Sequence, residues 1–177
     1  MKENLFKLGG ILLVTILIGL MTYKLIGTDR GSVGIDITKQ IQSIKAPSGA
    51  LGAGLMIDGI ETDVNSWHAP TNPQYPVPVD VQFRQAVLLG KIGFQSQSGA
   101  GNAPRAPREV RIYGGPDFEH LEVLTTLTLE FPATGTWIYQ NLPKTQKKFR
   151  CYRLSILSNH GSPDYLTVQE LKFFGKN

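Results

Sequence analysis

Sixteen consecutive residues without a charge, LGGILLVTILIGLMTY at positions 8–23, constrain this chain more than any other stretch. Leu25, Ile26 and Gly27 prolong the run past Lys24, whose ammonium reaches an interface along its aliphatic stem. A helix rising 1.5 Å per residue needs about 20 residues to cross a bilayer core of about 30 Å. Residues 8–27 are therefore predicted to form one transmembrane helix behind a short flank, 1–7. Its apolar residues leave no polar stripe, which argues against an ordinary buried core helix. The rival reading is a cleaved signal peptide with 1–7 as its basic region. Against it, no small-residue cleavage site follows, and the single cysteine, Cys151, is far from any lipid-attachment position. Lys2 and Lys7 precede the run while Lys24 and Arg30 follow it, so the positive-inside count is nearly even. The short flank before a large domain favours a single-pass membrane protein whose C-terminal domain lies on the non-cytoplasmic side.

The net charge of +4 says little about partners, because from Asp29 onward 15 Lys and Arg stand against 13 Asp and Glu. Nucleic-acid affinity comes from phosphates neutralised together. The densest basic group, Lys144, Lys147, Lys148, Arg150 and Arg153, reads as a solvated loop entering a strand, so no nucleic-acid partner is expected. One cysteine excludes an internal disulfide framework and a cysteine-based zinc finger. Cys151 sits in the alternating FRCYRLSIL, where a buried small hydrophobe is expected. There is no nucleophile elbow, phosphate loop or HExxH, and His120 and His160 stand apart from any zinc spacing, so the chain reads as a non-enzyme.

Residues 28–45 read as a linker or stalk and 46–177 as the domain, although the short apolar-periodic piece Ile35, Ile37, Ile41 and Ile44 also fits a short helix or the first edge of the domain. In the domain, short period-two segments alternate with turn chemistry: 79–83, 86–97, 109–114, 121–131, 136–142, 149–158 and 167–174. Eleven prolines and 19 glycines suit so many turns. No helical pattern intervenes, which predicts an all-β antiparallel sandwich. Three turn-rich segments, 57–78, 96–108 and 158–165, exceed what hairpins need, and loops of that length usually carry function.

An ordered series of motifs runs through this region. It comprises Ile57, Asp58 and Gly59; Asn65, Ser66, Trp67 and His68; PRAPREVRIYG at 104–114; Tyr152, Arg153 and Leu154; SNHG at 158–161; and QELKFFG at 169–175. Together they resemble the discoidin, or coagulation-factor type C, domain, a galactose-binding-like jelly roll. APR…IYG at 106–114 and SNHGSPDY at 158–165 also resemble the SUN domain. The resemblance implies a jelly-roll sandwich over about residues 46–175, with Trp67 plugging the core between its sheets. In the family's carbohydrate-binding modules, positions matching Asp58, Asn65 and Glu170 surround a structural calcium, aided here by backbone carbonyls near Ile60, Asp63 and Val168. The alternative is a turn aspartate capped by amides, with Glu170 paired to a base. His68 falls where several sugar-binding relatives place a ligand-contacting histidine, or it is an exposed loop histidine. Asn102, Arg105 and Arg108 are candidate ligand contacts from the next long loop, where Pro104 and Pro107 equally suit a rigid connector. Phe118, Tyr75 and Tyr165 are loop aromatics able to stack on a sugar face or to pack.

Two functions follow as expectations. One is a membrane-anchored structural subunit whose sandwich docks onto other proteins of an envelope, virion or membrane complex. The other is a membrane-tethered, lectin-like module that binds glycans through its end loops.

Overall fold

The computed structural model describes residues 34–49, 51–62, 65–144 and 147–176. The helix expected at 8–27, with its flank 1–7, lies outside them, as does 28–33. Among the described residues, no helix is long and apolar enough to cross a membrane.

Eleven strands, all paired antiparallel, build a sandwich. They are β1 (Ile35–Asp36), β2 (Ile41–Lys45), β3 (Trp67–His68), β4 (Val77–Val87), β5 (Leu89–Gln95), β6 (Pro107–Gly115), β7 (Glu122–Thr128), β8 (Trp137–Asn141), β9 (Phe149–Asn159), β10 (Thr167–Val168) and β11 (Glu170–Gly175). A five-stranded sheet runs β2-β4-β9-β6-β7, a four-stranded sheet runs β1-β11-β5-β8, and β10 pairs with β3 in a small ribbon.

Alternation dictates which side chains meet between the sheets. Val77, Val79, Val81 and Phe83 of β4 are buried at every second position, as are Tyr152, Leu154 and Ile156 of β9. Leu89, Ile92, Phe94, Leu171 and Phe173 face them from the other sheet in one core cluster. Trp67 is fully buried in it, and its indole N–H donates to Ser48 Oγ at 2.8 Å. Cys151 is buried as well, and burial pushes its thiol up from the ordinary value.

The expected boundary at residue 46 is corrected by the pairing. Ile35 and Asp36 pair with Gly175 and Phe174, and β2 pairs with β4 from Ile41 to Lys45. Ile37 and Ile41 are core residues, so 34–45 belongs to the sandwich and not to a stalk. The spacing of Ile35, Ile37, Ile41 and Ile44 hides this. A 3-10 turn at Thr38–Gln40 separates two short strands that lie in different sheets.

Candidate functional site

The long segments meet because their backbones bond to one another. Asn72 N–H donates to Asp164 O at 3.0 Å and Ala69 N–H to Leu166 O at 3.0 Å. Ser162 N–H donates to Pro104 O at 3.1 Å and His160 N–H to Ala106 O at 3.2 Å. Residues 69–72, 104–106 and 160–166 are thereby laced together at one end of the sandwich. Asn159 holds the last of them in shape, donating to Ser162 O at 2.7 Å and Tyr165 O at 2.8 Å while accepting from Gly161 N–H at 2.9 Å.

Two of the expected ligand residues come together here. The Arg105 guanidinium carbon lies 4.6 Å from the centre of the Tyr165 ring, which is 40 % exposed. His68, on the ribbon strand β3, is half-buried and feels the Arg105 charge. Burial first, then that charge, holds its imidazole below the ordinary value. Across the ribbon His68 is paired with Thr167, so the two side chains share a face. Thr167 is fully buried, and its hydroxyl has no hydrogen-bond partner among the described residues.

The other two are used differently. Asn102 donates from its side-chain amide to Ser98 O at 2.6 Å and from its backbone to Gly99 O at 2.9 Å, so it shapes the turn. Arg108 is exposed on β6 and faces Glu130 at 3.8 Å. Of the other two loop aromatics, Phe118 lies 5.9 Å from Arg153, and Tyr75 is exposed.

A cleft of about 430 Å³ is lined by Pro104, Ala106, Glu130, Phe131, Pro132 and His160 among others. His160 Nε2 is fixed against Leu129 O at 2.9 Å, and its ring meets Phe131 edge-on.

Of the three calcium candidates, Asn65 bonds Asp58 directly and Glu170 bonds the backbone of Gly59, the residue after Asp58. Asn65 donates from its side-chain amide to the Asp58 carboxylate, whose other oxygen accepts from Ile60 N–H at 2.8 Å. Glu170 is 1 % exposed; one oxygen accepts from Gly59 N–H at 3.1 Å, and the other has no partner. Burial pushes its carboxyl up to about 7, and the Asp58 charge adds to this. Asp63 lies outside the described residues. Among the described residues, no three His, Cys, Asp or Glu side chains are grouped to hold a metal by themselves.

Sequence reasoning missed an aromatic strip on the solvent side of the four-stranded sheet. Trp137 and Tyr139 of β8 stack with ring centres 5.7 Å apart and planes 12° apart, and Tyr139 meets Phe174 edge-on at 5.8 Å. Lys91 lies 4.7 Å from the Phe174 ring centre and Lys172 lies 4.2 Å from that of Trp137. Glu61 ties the strip to the 57–62 loop, accepting from Lys172 at 2.9 Å and from the Trp137 indole at 3.2 Å. The available signal was Trp137 and Tyr139 at positions i and i+2 of WIYQN, which places both rings on one face.

Residues 68–177 match the family described as Sad1/UNC-like C-terminal. No curated protein matches the chain. Among solved structures, a family 32 carbohydrate-binding module from a family 31 glycoside hydrolase of Clostridium perfringens is 19 % identical, with a TM-score of 0.65 over 82 % of this chain and 97 % of that one. Another C. perfringens module of this type, in complex with GalNAc-β-1,3-galactose, is also 19 % identical, with a TM-score of 0.63 over 77 % of this chain and 96 % of that one. A two-module structure from C. perfringens ZmpB, in complex with GalNAc, is 21 % identical, with a TM-score of 0.65 over 87 % of this chain and 38 % of that one. These likenesses establish a shared jelly-roll fold, and the three structures named here are of carbohydrate-binding modules.

Proposed function

This chain belongs to the Sad1/UNC-like C-terminal (SUN-like) family, and from that premise we propose that it is a non-enzymatic, lectin-like module holding a glycan at the loop end of its sandwich. The observation that carries this reading is the convergence of Arg105, Tyr165 and His68 from three separate segments. An aromatic face, a guanidinium fork and an imidazole make up a donor set for sugar hydroxyls around one stacking surface. The C. perfringens modules in complex with GalNAc-containing sugars support a glycan as the ligand. Calorimetry of the chain against a glycan panel tests it. Arg105→Ala and Tyr165→Ala are expected to weaken binding by about tenfold or more, since each removes a stacked or charged contact. Silence of the parent protein across neutral and acidic glycans overturns the reading.

Calcium at Asp58, Asn65 and Glu170 belongs to the same proposal. An orphaned, buried carboxylate oxygen beside a second carboxylate and an amide is an oxygen-donor set of the kind calcium takes. Once bound, the ion would neutralise both acids and fix the 57–62 loop against β11. Its role there is structural, and chelation is expected to lower the melting temperature.

A second reading, docking onto other proteins, is favoured by β8. Among the described residues this strand is the edge of its sheet and pairs only with β5, and it carries no charge or proline. Tyr139 within it is 48 % exposed. Such an edge is a template for an added strand. The apolar run at 8–27, whose one charge is Lys24, supports tethering of the module to a membrane, with the sandwich on the non-cytoplasmic side. Detergent extraction followed by size measurement separates the readings. A larger species that Tyr139→Lys reduces to the monomer supports docking, and a monodisperse parent monomer counts against it.

A further inference from the structure

Among the described residues, Arg105 has neither a carboxylate within 4.0 Å nor a hydrogen-bond acceptor for its guanidinium. Arg108, Lys147, Arg153 and Lys172 each have a carboxylate within 4.0 Å. Arg150 donates to Gln42 and Arg111 to Thr126. Arg105 is half-buried, and its one close partner among the described residues is the Tyr165 ring, which accepts none of its N–H donors in a conventional hydrogen bond. A half-covered guanidinium whose fork bonds no protein group leaves its N–H donors open to a ligand. Beside it, on the face His68 shares with Thr167, a second group has no hydrogen-bond partner among the described residues: the fully buried Thr167 hydroxyl.

Resting on the glycan reading above, we propose that the ligand of this site is an acidic glycan, whose sugar carboxylate takes the Arg105 fork. The geometry of a carboxylate matches two parallel N–H donors of a guanidinium, a match that a neutral hydroxymethyl group cannot make. Tyr165 under the cation restrains the fork's position, and the sugar ring is then held against His68. The charged group facing His68 is Arg105. The ribbon residues opposite, Thr167 and Val168, do not titrate, and Gly49 N–H merely donates to the His68 carbonyl at 3.0 Å.

The arriving anion reverses the electrostatics at the imidazole. Without ligand, His68 is held below its ordinary value and is neutral at pH 7. A carboxylate placed between His68 and Arg105 favours imidazolium, so binding takes up a proton and tightens as pH falls from about 7 to about 5. A neutral sugar has no such dependence.

Calorimetry on the full chain in detergent with matched sugars tests the proposal. Methyl glucuronide and methyl glucoside, or methyl galacturonide and methyl galactoside, differ in each pair only by the carboxylate. The acid is expected to bind about tenfold or more tightly than its neutral twin, the scale of a charge-assisted bidentate contact. That preference is expected to widen toward pH 5. Arg105→Gln should bring the acid down to its twin, and His68→Gln should flatten the pH dependence while leaving the acid preferred. Equal binding of acid and neutral twin overturns the proposal and leaves the glycan reading standing. Acetate competing as strongly as the uronide overturns it too, since the site then reads a bare carboxylate. If no sugar binds to parent protein with an intact melting transition, both readings fall.

Discussion

Glu170 is buried with one oxygen bonded to Gly59 and the other to nothing, which gives its titration a definite sign. Burial carries its carboxyl from the ordinary 4.5 to about 7 in the folded protein. Between those values the folded state keeps a proton that the unfolded chain has released. Calcium-free protein is therefore expected to lose stability as pH rises from about 4.5 to about 7, with no contribution from this group to the slope on either side. Melts in chelator across that range check the sign, and Glu170→Gln should flatten the slope. Above pH 7, calcium should raise the melting temperature of the parent and not of this variant. Gly115 supplies a second residue-scale expectation. A Cβ there would lie 2.2 Å from the His120 carbonyl oxygen and 3.0 Å from that of Asp117, both backbone atoms. Gly115→Ala is expected to destabilise by about 1–3 kcal/mol in chemical denaturation, the ordinary scale of overpacking.

Among the elements, β4 and β9 were legible because each is long and half-buried, so Val79, Val81 and Phe83 alternate visibly with polar residues. The motif series made the jelly roll legible. β1 and β3 were not legible, because two residues show no period, and β10 was read as one strand with β11 in 167–174; a ribbon such as Trp67–His68 with Thr167–Val168 exists through its partner alone. The role of β8 was obscured for a different reason. WIYQN reads as a strand, but whether Trp137 and Tyr139 face core or solvent depends on Gly93 of β5. A Cβ at Gly93 would sit 2.7 Å from the Tyr139 ring and 3.2 Å from that of Trp137. The aromatic strip thus rests on a gap in the neighbouring strand. Gly93→Ala should tilt Tyr139 off the sheet at a cost of about 1 kcal/mol, because an exposed ring can swing away. A shift in Trp137 fluorescence with little change in melting temperature is the expected signature.

For the whole molecule, the candidate site was legible as residue types and illegible as a place. His68, Arg105 and Tyr165 were each named from loops, but the bonds from Ser162 to Pro104 and from Asn72 to Asp164 decide which loops touch. Local bonds to Ser98 and Gly99 make Asn102 a turn-former, and Arg108 faces Glu130. The same long-range pairing sets the lower limit of the fold. A fragment beginning at residue 34 is expected to unfold cooperatively, while one beginning at 46 loses β1, β2, Ile37 and Ile41. Burial of two isoleucines alone is worth about 3–6 kcal/mol, comparable to the whole stability of a small domain. Circular dichroism and denaturant melts of the two fragments check this.

The pairing of Ile35 with Gly175 brings the first and last strands side by side at one end of the four-stranded sheet. That arrangement governs how the domain yields when pulled. Tension applied between the chain ahead of Gly34 and the C-terminus does not shear many rungs at once. It opens β1 from β11 like a zipper, one rung at a time, so the first two residues release at low force while Ile37, still bonded to Phe173 O at 2.8 Å, remains seated in the core. The sandwich thereby carries a short mechanical fuse at its own entrance.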